Sequence, residues 1–251
     1  MKYIKENWQY FLFFVLVCIV GGYFSTIYLV DTLDSNMIEE AVKQIGSKEL
    51  LMVVSVVQIT IYAVIFTGIG IILSNKIGLW KKFDMNKQGL ITVLVLSVVG
   101  GLSLSVVDKY VFGSFIDPVW HSYDSKPTVE YVISSFTYGG VFEEILIRLF
   151  LMSLLAWVIS KLFYAKEEDV PVKVLVIANV ISALLFAAGH LPATKQIFGY
   201  MDGLILFRCF LINGLLGLAF GYLYRKYGIG YSMLAHIGTH FVSKLIWVIF
   251  I

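Results

Sequence analysis

Seven mostly apolar stretches of roughly twenty residues or more run through this chain, each long enough as a helix to cross a hydrocarbon core about 30 Å thick. They extend from Trp8 to Val30, Leu50 to Ser74, Leu90 to Val107, Tyr131 to Ile159, Val174 to Leu191, Gly203 to Tyr224 and Tyr231 to Ile251. In 251 residues the remaining connections are too short for a soluble domain. The chain therefore reads as a single integral membrane domain over 1–251, an all-α polytopic bundle of about seven helices around an intramembrane polar cavity. The helices of 131–251 are expected to form its working core.

Composition agrees: 59% of residues are hydrophobic and 14% charged, against the roughly one quarter charged that soluble domains carry. A net charge of +2, dispersed along the chain, gives nucleic acid nothing to bind. The distribution of that charge is more telling. With the N-terminus inside, the cytoplasmic segments carry Lys2, Lys5, Lys76, Lys81, Lys82, Lys87, Lys161, Lys166, Lys173, Arg225 and Lys226; the opposite face carries Lys43, Lys48, Lys109, Lys126 and Lys195. This asymmetry predicts an N-in, C-out arrangement. The first stretch is long for a signal-peptide core and lacks a small-residue cleavage site after it, so it is expected to be retained. Cys18 and Cys209 lie within apolar stretches and read as small buried hydrophobes. The acidic connection from Asp31 to Glu49 suits a short surface helix and reads as a solvated connection rather than a binding segment. No internal repeat marks a transporter built from inverted halves.

Ionisable side chains inside three of these stretches do not belong in hydrocarbon. The fourth contains Gly139-Gly140-Val141-Phe142-Glu143-Glu144-Ile145-Leu146-Ile147-Arg148. A charge at a helix centre costs about 2.5–3.5 kcal/mol even on mild insertion scales, so this group needs partners or water. Glu144 and Arg148 are four apart, the favourable order for an ion pair, while Glu143 lies about 100° round the helix and is free to point elsewhere. Gly139 and Gly140 suit either close helix packing or local site-shaping. The fifth stretch closes on Phe186, His190 and Pro192, and the seventh carries His236 and His240 one turn apart on one face.

A carboxylate and imidazoles gathered in a low-dielectric pocket suit general acid–base activation of water. Glu143 with His190 would activate water for attack on a peptide carbonyl, with His236 and His240 facing the oxyanion or orienting the water. No serine, cysteine or paired-aspartate arrangement competes as a covalent nucleophile. The same donors also make a zinc site plausible, although the His-Glu-x-x-His signature is absent; no cofactor is favoured, with zinc as the alternative. A non-catalytic peptide-binding immunity or sensor protein, and a proton-coupled transporter, are the competing classes. Depth raises a difficulty: His236 sits only about 8 Å inside its own stretch, whereas Glu143 and His190 fall in the outer or middle part of theirs, so their meeting requires a broken helix or a shifted boundary.

In these motifs the sequence resembles the CAAX protease and bacteriocin-processing family of intramembrane endopeptidases, also called the Abi family. Glu143, Glu144 and Arg148 match its Glu-Glu-x-x-x-Arg motif, Phe186 and His190 its Phe-x-x-x-His motif, and His236 begins the late His-x-x-x-Asn-like motif, with His240 where Asn is common. The resemblance covers roughly the C-terminal half. It implies peptide-bond hydrolysis at the membrane, with Glu143 as base, Glu144 and Arg148 as its supporting pair, and His190, His236 and His240 as water or oxyanion ligands. Eukaryotic members trim prenylated proteins; bacterial relatives are linked to pheromone processing, bacteriocin maturation or self-immunity. The expected partners are the lipid bilayer and a peptide or membrane-protein substrate, and the expected location is a bacterial cytoplasmic membrane.

Overall fold

The structure, a computed structural model, describes residues 2–32 and 35–251. Among the described residues, seven helices are long and apolar enough to cross a membrane: α1 (Trp8–Thr32), α2 (Lys48–Lys76), α3 (Lys87–Phe112), α4 (Val129–Phe163), α5 (Val172–Phe198), α6 (Gly203–Tyr227) and α7 (Ile229–Phe250). Short helices at Lys2–Glu6, Ser35–Ile45 and Asp117–His121 occupy the N-terminal segment and two connections. The acidic connection after α1 contains the short helix that its sequence suggested, Ser35–Ile45. Among the described residues there is no strand.

Side-chain polarity is distributed for lipid rather than water. Val53, Val57 and Ile61 of α2 and Leu94, Val95 and Val98 of α3 are exposed, whereas Ser97, Ser105, Ser153, Ser182, Ser232 and Thr239 are buried between helices. Small and hydroxyl-bearing residues allow close helix approach and bond across it, the pattern of helices packed within a bilayer. The protein is an integral membrane protein.

Helix boundaries follow local chemistry. Ser47, Asn86, Thr128 and Asp202 sit in extended backbone and accept the N–H three residues on, capping α2, α3, α4 and α6. Gly228 at φ +100 reverses the chain between α6 and α7 in a single residue, a conformation that side chains resist. Pro192 does not end the fifth span as expected. It occupies the first turn of a further helical segment, Leu191–Phe198, where its missing N–H costs nothing. The bend falls at His190, whose amide bonds to the carbonyl of Ala187.

The centre of the bundle is α4, with α1 and α2 packed on one side and α5 and α7 on the other. It is unusually long, 35 residues, and its middle is wound as π-helix over Ser135–Glu143 and Ile145–Met152. Such turns are wider than α-turns and recur at functional sites. Glu144 and His236 meet without a break in either helix: α4 runs continuously past the contact with α7, and Leu162 and Phe163 at its end are exposed. Gly140 lets α7 come close, since a Cβ there would collide with Ile237.

Candidate active site

Glu144 is the organising group. It is 0% exposed, and the fully desolvated carboxylate is met from two helices, α4 and α7. Arg148, one turn on along α4, donates Nη1–H to Oε1 at 2.8 Å and Nη2–H to the carbonyl of Gly217 in α6 at 3.2 Å. From α7, His236 donates Nδ1–H to the same Oε1 at 2.8 Å, and Ser232 lies 2.5 Å from Oε2 and 2.8 Å from the carbonyl of Phe220. A carboxylate only accepts, so the bond fixes the tautomer of a neutral His236 with its proton on Nδ1 and leaves Nε2 as an acceptor.

Aromatic faces hold these polar groups in place. The His236 ring stacks on Phe220 (centroids 4.6 Å apart) and on His240 (5.0 Å), while Phe186 meets it edge-on at 6.0 Å. Phe186 also stands edge-on to His190 at 4.7 Å and lies under the Arg148 guanidinium, 4.6 Å from its Cζ. His190 donates Nδ1–H to the carbonyl of Phe186 at 2.8 Å, which leaves its Nε2 available as well.

His240 Nδ1 is buried with no hydrogen-bond partner among the described residues. An orphaned buried acceptor is tolerated better than an orphaned N–H, so the proton belongs on Nε2. That nitrogen faces Gly139: a Cβ on Gly139 would stand 3.0 Å from His240 Nε2 and 4.0 Å from His236 Nε2. A donor and an acceptor therefore converge above one bare stretch of backbone. Gly139 thus shapes the site, while Gly140 beside it serves packing.

Glu143, Gly139, Phe186, His190, His236 and His240 all line one cavity of about 500 Å³. Glu144 and Arg148 are not on its wall. Glu144, expected among the catalytic groups, lies off the cavity wall and is hydrogen-bonded to His236, which is on it. Among the described residues, no three His, Cys, Asp or Glu side chains are grouped to hold a metal ion. Cys18 and Cys209 are buried free thiols.

Sequence reasoning missed several polar groups. Ser232 precedes His236 by one turn on the same face, so the stripe was visible but read only for its histidines. Asp108 and Arg208 form a forked ion pair between α3 and α6 (2.5 and 2.6 Å), with the Tyr123 hydroxyl also on Asp108 at 3.1 Å. Lys244 is buried near the far end of α7. Arg208 and Lys244 are charges inside apolar stretches and carried the same signal as the motif residues.

Residues 125–242 match the family described as Type II CAAX prenyl endopeptidase Rce1-like. With the seven spans, the match supports a CAAX-type intramembrane protease in general. That segment holds all three motifs and is similar to the CAAX protease and bacteriocin-processing family. No curated protein and no solved structure gives a match.

Proposed function

We propose that this protein hydrolyses a peptide bond of a membrane-associated substrate with water activated by Glu143 and the imidazoles. A substrate carbonyl and a water molecule meet in the cavity above Gly139. Glu143 takes a proton from the water as its oxygen bonds to the carbonyl carbon. His190 and His236, each with Nε2 unprotonated and its Nδ1–H committed elsewhere, present acceptors between them for the water's second O–H and so orient it. His240 donates Nε2–H to the oxyanion in the place where Asn is common in the family. As the C–N bond breaks, Glu143 returns the proton to the leaving amine. Glu144 and Arg148 are positioning groups that fix His236.

The observation that carries this reading is the convergence of the two Nε2 atoms above Gly139, set by the Glu144–His236 bond, in the cavity that Glu143 lines. No metal is invoked. The substrate class favoured is a bacterial peptide, whether a pheromone precursor, a bacteriocin leader or a membrane protein, processed in the cytoplasmic membrane with the N-terminus inside. Comparing secreted and membrane peptides from cells carrying wild-type or Glu143→Gln protein tests catalysis and substrate together. Loss of specific cleavage products at equal membrane abundance is expected; an unchanged peptide profile with full activity of purified Glu143→Gln would overturn the mechanism.

A further inference from the structure

The catalytic reading leaves one buried cation unused. Lys244 is 7% exposed and lies one turn beyond His240, so that Ser232, His236, His240 and Lys244 form a single stripe on α7. Its Nζ stands 4.1 Å from the centroid of Tyr131 and 5.7 Å from that of Trp247, and Tyr131 is held in turn by stacking on Tyr28 at 4.6 Å. Lys244 also lies beyond the residues that match the family.

The other charges along the cavity outside the catalytic cluster are accounted for. Asp108 and Arg208 neutralise one another, and the exposed Lys126 donates to the carbonyls of Trp247 and Val248. Among the described residues, no carboxylate lies within ion-pair distance of Lys244. Two aromatic faces return only part of what a desolvated ammonium loses on leaving water. The group nevertheless lines the cavity, where an incoming anion meets it.

We infer that Lys244, seated on Tyr131 and Trp247, holds a carboxylate of the substrate peptide; this rests on the peptidase reading above. Gly139 and Tyr131 are eight residues apart on α4, at most about 12 Å along its axis. At about 3.3–3.6 Å per residue, an extended peptide covers that distance in a few residues. Lys244 therefore makes cleavage depend on an anion at a fixed short distance from the scissile bond. The carboxylate comes either from the peptide's C-terminus or from an acidic side chain. Lysine acts here as a point charge, so arginine is expected to substitute only in part.

The test uses the full-length protein in detergent and randomised apolar peptide pools of three kinds: free C-terminus without acidic residues, amidated C-terminus without acidic residues, and amidated C-terminus with one Asp. Products are read by mass spectrometry. Wild type is expected to cleave a carboxylate-bearing pool roughly 10–100-fold faster in kcat/KM than the amidated acid-free pool, the range of a charge-assisted bond. Which of the two carboxylate pools is favoured identifies the source. Lys244→Gln is expected to erase the preference, and Lys244→Arg to keep part of it. An unchanged preference in Lys244→Gln, or an equal loss on all pools, overturns the assignment and leaves the peptidase reading standing. Wild-type cleavage with no carboxylate preference does the same. Cleavage of no pool by wild type overturns the peptidase reading and this inference with it.

Discussion

Glu144 and His236, 92 positions apart in sequence, share a 2.8 Å hydrogen bond on the same oxygen that takes Arg148 at 2.8 Å. One carboxylate oxygen thus serves an ion pair within α4 and the orientation of an imidazole on α7.

Removing one partner of a fully buried ion pair leaves the other uncompensated. Arg148→Met is expected to destabilise the protein by about 3–5 kcal/mol. The double variant Glu144→Gln/Arg148→Met should recover much of that loss, because both charges then leave together. Unfolding of the purified proteins in detergent, followed by circular dichroism, measures both.

The two neighbouring glycines separate catalysis from packing. A Cβ on Gly139 intrudes 3.0 Å from His240 Nε2, so Gly139→Ala is expected to lower kcat about 100-fold, the scale of a displacement near 1 Å, with little change in melting temperature. A Cβ on Gly140 meets Ile237 instead, so Gly140→Ala is expected to lower the melting temperature itself. Paired kinetic and thermal measurements distinguish the two.

His240 is argued to donate through Nε2. His240→Ala should therefore cost about 10²–10³ in kcat, while His240→Asn, which keeps an N–H donor, should retain at least about a tenth of wild-type activity. Equal losses in the two variants would rule out a donor role.

Direct activation of water by Glu143 predicts indifference to chelation. Protein stripped of divalent ions, with its metal content measured by mass spectrometry, should keep full peptidase activity. A loss that zinc alone restores would move the water onto a metal.

Local spacing made part of the site legible. Glu144 and Arg148 at four residues apart predicted an ion pair, and the structure contains it; His236 and His240 at the same spacing share a face and stack. The seven spans were readable because exposed lipid-facing residues keep every stretch apolar. Contacts between distant helices were not readable in this way. Nothing local in Asp108 or Arg208 reveals that they meet across 100 positions, and nothing in the sequence of α4 announces π winding. Pro192 misled for a simpler reason: proline closes a helix only when it falls in the interior, and here it falls in a first turn.

The shared oxygen of Glu144 has a consequence for biogenesis. Within α4 alone the acid and guanidinium already satisfy one another, so the helix can insert as a nearly neutral unit. His236 gains its fixed tautomer only when α7 docks against α4, and Arg148 reaches Gly217 only when α6 does. A bundle without α7 therefore holds Glu143 and His190 but lacks the oriented His236 and the His240 donor. In the proposed mechanism the protease is latent until its helices have come together, and misassembled copies are harmless to the membrane that holds them.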